Sequence, residues 1–129
     1  MAIEALDHFT IVTSDLAAAR RFYIDVLGLG EGDRPPFRFP GAWLYCGGAP
    51  VVHLISRDTS GGASTGAVDH LALRASDLAG TVARLREFAV DYDLRTVPGL
   101  GLRQVFVHDP DGVKIELNFA ASERLPDDA

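Results

Sequence analysis

The chain has 129 residues, 47% of them apolar and 23% charged, with a formal net charge of −6; this is the balance of one compact globular domain, not of a disordered segment. A single cysteine, Cys46, excludes an internal disulfide framework, and twelve basic against eighteen acidic residues with no basic stripe argue against a nucleic-acid partner. No apolar run approaches the roughly 18 residues that cross a membrane, and the N-terminus lacks the basic start and apolar stretch of a signal peptide, so a cytoplasmic protein is expected.

Residues 5–13 alternate in polarity and carry β-branched side chains, which predicts a strand. Ser14 is suited to cap a helix with Asp15 at its positive end, and Leu16, Arg20, Phe22, Tyr23, Val26 and Leu27 continue that helix to a stop at Gly28. Gly30 to Gly41 is rich in Gly and Pro, and Pro35, Pro36 and Pro40 exclude regular helix there. Residues 43–46 and 51–55 read as short strands joined by Gly47 and Gly48. Cys46, in an apolar strand with no second ligand nearby, is expected to be a buried, inert thiol. RDTSGGASTG (57–66) has no apolar periodicity and reads as a flexible linker. After it come a strand over 68–75, a Ser76-capped helix over 77–89, a weak strand near 92–97 and a strand over 102–108. The Asp109-Pro110-Asp111-Gly112 turn then leads into a strand over 113–119. Residues 120–129 read as a frayed tail.

The chain repeats itself. ALDHFTIVTSDLA (5–17) and AVDHLALRASDLA (67–79) share seven of thirteen positions at an offset of 62, and Val52-His53-Leu54 aligns with Ile115-Glu116-Leu117 at an offset of 63. Each half is too long for a solenoid unit, so two copies of one supersecondary module related by pseudo-symmetry are expected. The predicted architecture is α+β: two βαβββ modules, 5–56 and 67–119, in one domain spanning 1–129.

Strand parity assigns side chains to faces. Phe9 and Ile11 fall opposite His8, Thr10 and Val12; Leu71 and Leu73 fall opposite His70 and Ala72. Val52 and Leu54 fall opposite His53, and Ile115, Leu117 and Phe119 fall opposite Lys114, Glu116 and Asn118. The apolar rows suit the helices, which leaves His8, His53, His70 and Glu116 on the other face, in repeat-equivalent slots. Two curved sheets about a pseudo-twofold would bring the four toward one concavity. Three imidazoles and a carboxylate suit a divalent first-row metal such as Fe, Mn, Ni, Co or Zn. His108, beside the turn, has no repeat partner and reads as an ordinary hydrogen-bonded core or surface residue.

LDHFTIVTSDLAAARRFYIDVLGL (6–29), VDHLALRASDL (68–78) and VFVHDPDGVKIELNF (105–119) closely resemble the vicinal oxygen chelate superfamily, which includes glyoxalase I, fosfomycin-resistance proteins, bleomycin-binding proteins and extradiol dioxygenases. The resemblance implies paired modules in a curved, cup-shaped mixed sheet around a metal, with His8, His70 and Glu116 in ligand slots. His53 falls where glyoxalase I carries a glutamate, as a fourth ligand or a general base. The implied function is a metal-dependent lyase or isomerase acting on a small molecule with vicinal oxygens through a stabilised enediolate. The alternatives are an Fe(II) extradiol dioxygenase and an antibiotic- or metabolite-binding protein. Phe37, Phe39 and Trp43 could form an aromatic lip, or else a packed loop or dimer contact. Arg103 could hold an anionic substrate group or a surface salt bridge, and Thr10 is a candidate to support His8 in the pocket. Exposed strand edges and the habit of relatives of this length imply a homodimer, formed from intact chains or by exchange of halves across the linker.

Overall fold

A computed structural model describes residues 1–58 and 65–126. The chain divides into two compact units, residues 1–62 and 63–129. Part of the expected linker (59–64) and the end of the expected tail (127–129) lie outside the described residues.

The first unit runs β1 (Phe9–Thr13), α1 (Leu16–Arg20), β2 (Gly30–Gly32), β3 (Gly41–Cys46) and β4 (Ala49–Ser56); the second runs β5 (Leu71–Arg74), α2 (Leu78–Glu87), β6 (Asp93–Thr96), β7 (Arg103–His108) and β8 (Lys114–Phe119). Each unit is a four-stranded mixed sheet, ordered β1-β4-β3-β2 and β5-β8-β7-β6, with the first strand parallel to the last. The βαβββ pattern is therefore present twice. The repeat extends to register: Phe9 pairs with Val52 and Leu71 with Ile115, while Trp43 pairs with His53 and Phe106 with Glu116.

The parity reading holds. Ile11, Thr13, Ala42, Leu44, Val52 and Leu54 form the buried face of the first sheet, and Val105, Val107, Ile115, Leu117 and Phe119 that of the second. Ala19, Phe22, Tyr23 and Val26 from the first helix, and Leu78, Val82 and Leu85 from α2, are buried too. Apolar removal from water on this scale is the main favourable term in folding each unit.

Several local expectations are corrected. The helix caps are Asp15 and Asp77, not Ser14 and Ser76: their carboxylates accept from Ala18 N and Gly80 N at 3.0 and 3.1 Å. Asp15 wins because the buried Thr13 hydroxyl accepts from Asp15 N at 3.1 Å and fixes the turn, leaving Ser14 exposed. Beyond α1 the helix widens over Arg21–Val26, where Leu27 N donates to Phe22 O across five residues. Gly28 then ends it at φ 84°, a left-handed position that favours glycine. The Gly-rich segment after the helix contains the short edge strand β2, paired to Trp43, Leu44 and Tyr45; three residues with two glycines leave no alternation to read. Gly47 and Gly48, both at positive φ (57° and 86°), make the tight β3–β4 hairpin. That turn places Cys46 at the end of its strand, so the thiol is exposed and not buried.

The tail departs furthest from expectation. The Glu123 carboxylate accepts from Asp77 N at 3.0 Å and Leu78 N at 2.6 Å, at the start of α2. Asp77 sits there at φ 66°. An anion at a helix N-terminus satisfies free N–H groups and complements the helix dipole, so the segment around Glu123 is pinned.

Candidate functional site

On the first sheet the open face carries a row across three strands: Thr10, His53 and Trp43 are register neighbours. His8 stands one residue before β1 on the same face. The rings stack in series, His8 on His53 at 3.8 Å and 15°, and His53 on Trp43 at 4.0 Å and 12°. Thr10 is exposed beside His53. Phe37 lies 6.4 Å from Trp43 and stacks on Phe39 at 5.0 Å.

The hydrogen bonds of the two imidazoles assign their protons. His8 Nδ1 lies 2.6 Å from Asp7 Oδ1. A carboxylate only accepts, so Nδ1 carries the hydrogen and Nε2 of the neutral ring keeps its lone pair. His53 Nε2 donates to Pro50 O at 3.0 Å, which leaves Nδ1 as the lone-pair atom. Burial, and then the neighbouring His8, lower the His53 pKa, so the neutral form is favoured.

On the second sheet the equivalent row is Ala72, Glu116 and Phe106. His70 again stands one residue before the strand, with Nδ1 2.7 Å from Asp69 Oδ2. Its Nε2 lies 3.3 Å from Glu116 Oε1. Asn118 Nδ2 donates to the other Glu116 oxygen at 2.5 Å. Glu116 is itself buried, on the face of β8 opposite Ile115 and Leu117. Lys114 Nζ is 3.5 Å from Asp69 Oδ2 and 5.0 Å from the Phe106 ring centre. The hydrogen bond from His70, and then the charge of Lys114, hold the Asp69 carboxyl below its usual range.

The donor chemistry fits a divalent cation. With Nδ1 of His70 protonated toward Asp69, its Nε2 lone pair faces a carboxylate oxygen, and two acceptors at that distance need a proton or a cation. At 3.3 Å the two atoms are close enough that both could hold one cation, were one bound. Among the described residues, no three His, Cys, Asp or Glu side chains form a metal-binding group; the donors stand as pairs, His8 with His53 and His70 with Glu116.

Arg103 is placed elsewhere. It pairs with Phe119 on the helix-side face, where Nη1 donates to Thr96 Oγ1 at 2.8 Å and Nε to Glu123 O at 3.3 Å. It helps hold the tail and is not beside Glu116. The sequence reading missed Asp7, Asp69 and Asn118. Asp7 and Asp69 are identical across the repeat, as the histidines are, and Asn118 shares strand parity with Glu116; both signals were available.

Comparison with known proteins agrees with this architecture. Residues 5–117 match the Glyoxalase/Bleomycin resistance protein/Dioxygenase superfamily. Glyoxylase I 4 of Arabidopsis thaliana is 27% identical over 122 residues, covering 89% of this chain and 70% of that protein. The antibiotic-binding protein TnmS3 from a Streptomyces species is 29% identical, with a TM-score of 0.72 over 93% of this chain and 98% of the other. The fosfomycin resistance protein FosX of Listeria monocytogenes shares the fold, with a TM-score of 0.74 at 16% identity over 92% and 95% of the two chains. With the repeated βαβββ units and their equivalent strand positions, these matches establish that the chain belongs to the Glyoxalase/Bleomycin resistance protein/Dioxygenase superfamily.

Proposed function

We propose that the protein is a divalent-metal-dependent enzyme of the glyoxalase-like kind, a lyase or isomerase acting on a small molecule with vicinal oxygens, with His8, His53, His70 and Glu116 as its working residues. One observation carries the reading: in both halves an Asp-His pair ties up Nδ1 and leaves Nε2 as a donor, and in the second half that donor faces a buried carboxylate. Such carboxylate–histidine pairs orient imidazole ligands and raise their basicity.

When bound, a divalent cation supplies Lewis acidity to two neighbouring substrate oxygens. In this reading Nε2 of His8 from the first unit, and Nε2 of His70 and the Glu116 carboxylate from the second, would be the donors for such an ion. Asn118 fixes the Glu116 rotamer by binding its second oxygen. His53 is the proton carrier: its lowered pKa keeps it neutral near neutral pH, and Nδ1 is its basic atom. Once protonated there, its charge lies over the Trp43 ring, a favourable arrangement, and next to His8, an unfavourable one. A proton so held is readily returned.

The test is metal binding by protein purified without oxygen, followed by turnover of α-hydroxyketones, hydroxyacid derivatives and catechols. Anaerobic proton exchange supports the lyase or isomerase reading, whereas oxygen-dependent catechol turnover with Fe(II) selects a ring-cleaving dioxygenase. The working form is proposed to be a cytoplasmic homodimer.

A further inference from the structure

The two halves repeat strand for strand, but one connection differs in its chemistry. Between β2 and β3 the first half carries DRPPFRFP (33–40), whereas the corresponding connection in the second half is VPGLGL (97–102). The connection in the first half is built as an aromatic surface. Phe37 and Phe39 are 45% and 42% exposed, yet they stack on one another, and the Arg34 guanidinium lies 5.1 Å from each ring centre. Arg34 Nη2 donates to Phe39 O at 2.9 Å, Phe37 N to Pro35 O at 2.7 Å, and Tyr45 Oη to Asp33 O at 2.6 Å. With three prolines in the segment, the rings are held out to solvent in a fixed arrangement. Phe37 adjoins Trp43, which stacks on His53, so the aromatic surface is continuous with the histidine pair.

Exposing two ordered phenylalanines beside a cation is costly for a surface that binds nothing. We infer that Arg34, Phe37, Phe39 and Trp43 recognise a planar aromatic ring carried by the substrate, with the Arg34 guanidinium complementing an anionic group on it. The substrate class is then an aryl-substituted compound with vicinal oxygens, such as an aryl hydroxyacid. The inference rests on the proposed function only for those oxygens, because ring recognition is a property of the first unit's own surface and is measured with no metal present.

Mandelate and lactate carry the same hydroxyacid oxygens and differ in phenyl against methyl. Their binding is measured by calorimetry with excess chelator, and fluorescence of Trp43, the single tryptophan, is followed alongside. Mandelate is expected to bind about tenfold or more tightly than lactate, the scale of a good aromatic contact, and to perturb Trp43 emission. Phe37→Leu/Phe39→Leu is expected to remove that preference while leaving lactate binding and the far-ultraviolet circular dichroism unchanged. Equal affinities, no binding of either compound, or a mandelate preference that survives the double variant would overturn the inference. So would a shift from dimer to monomer in the double variant with mandelate affinity intact, which would assign the surface to a second copy of the chain. Failure of metal binding alone would count against the proposed function and leave this result standing.

Discussion

Nε2 of His70 stands 3.3 Å from Oε1 of Glu116, while Nδ1 of the same ring is held by Asp69. The imidazole is thus fixed from one side and presented to a carboxylate on the other. Asn118 grips the far oxygen of that carboxylate at 2.5 Å, which makes it the most direct support for the arrangement.

Replacing Asn118 with Leu should therefore weaken metal binding by about ten- to a hundredfold, the usual cost of losing a group that orients a ligand. Calorimetric titration with Zn or Mn checks this. Unchanged affinity would show that Glu116 needs no such support.

His53 should titrate below its ordinary value of 6.5 in metal-free protein, because burial and then His8 disfavour its charged form. The sign for stability follows: with the folded-state pKa depressed, the contribution of neutral His53 is present above the unfolded value and is lost as pH falls through the folded one. A nuclear magnetic resonance titration of the ring nitrogens reads the midpoint directly. His8→Ala should move it upward, though not fully, since burial remains. A midpoint at or above 6.5 would contradict the stacked arrangement.

Glu123→Ala should destabilise the fold by about 1 kcal/mol through loss of its two bonds to the start of α2, lowering the melting temperature by a few degrees. Metal affinity should stay unchanged, because Glu123 lies on the helix side and not beside Glu116. Loss of metal affinity would mean that the tail also supports the ligands.

Dimerisation is read by sedimentation of dilute protein; a fully active monomer would contradict it. Mixing His8→Ala chains with Glu116→Ala chains then tells whether one chain or two supply a complete ligand set. Exchanged halves regenerate one intact set per dimer, whereas unexchanged halves leave both damaged.

Much of this was legible in the sequence because it depends on period and repetition. Alternation alone puts Ile11, Val52 and Leu54 on the buried face and His53 opposite, and the DH at 7–8 and 69–70 marks equivalent strand starts. What parity cannot supply is contact between side chains. The stack of His8, His53 and Trp43 depends on register among three strands. Glu123 reaches α2 from 45 residues away along the chain, which no local pattern encodes. Cys46 followed the apolar character of its strand on paper, but the glycine hairpin beside it decides its exposure.

The central claim, that His8, His70 and Glu116 bind a divalent metal, is tested most directly by the metal content of protein purified anaerobically, wild type beside His8→Ala, His70→Ala and Glu116→Ala. The account predicts close to one ion per chain in the wild type and at least a tenfold loss of affinity in each variant, with His53→Ala reducing turnover more than metal content. Wild-type occupancy in two of the three variants would contradict it.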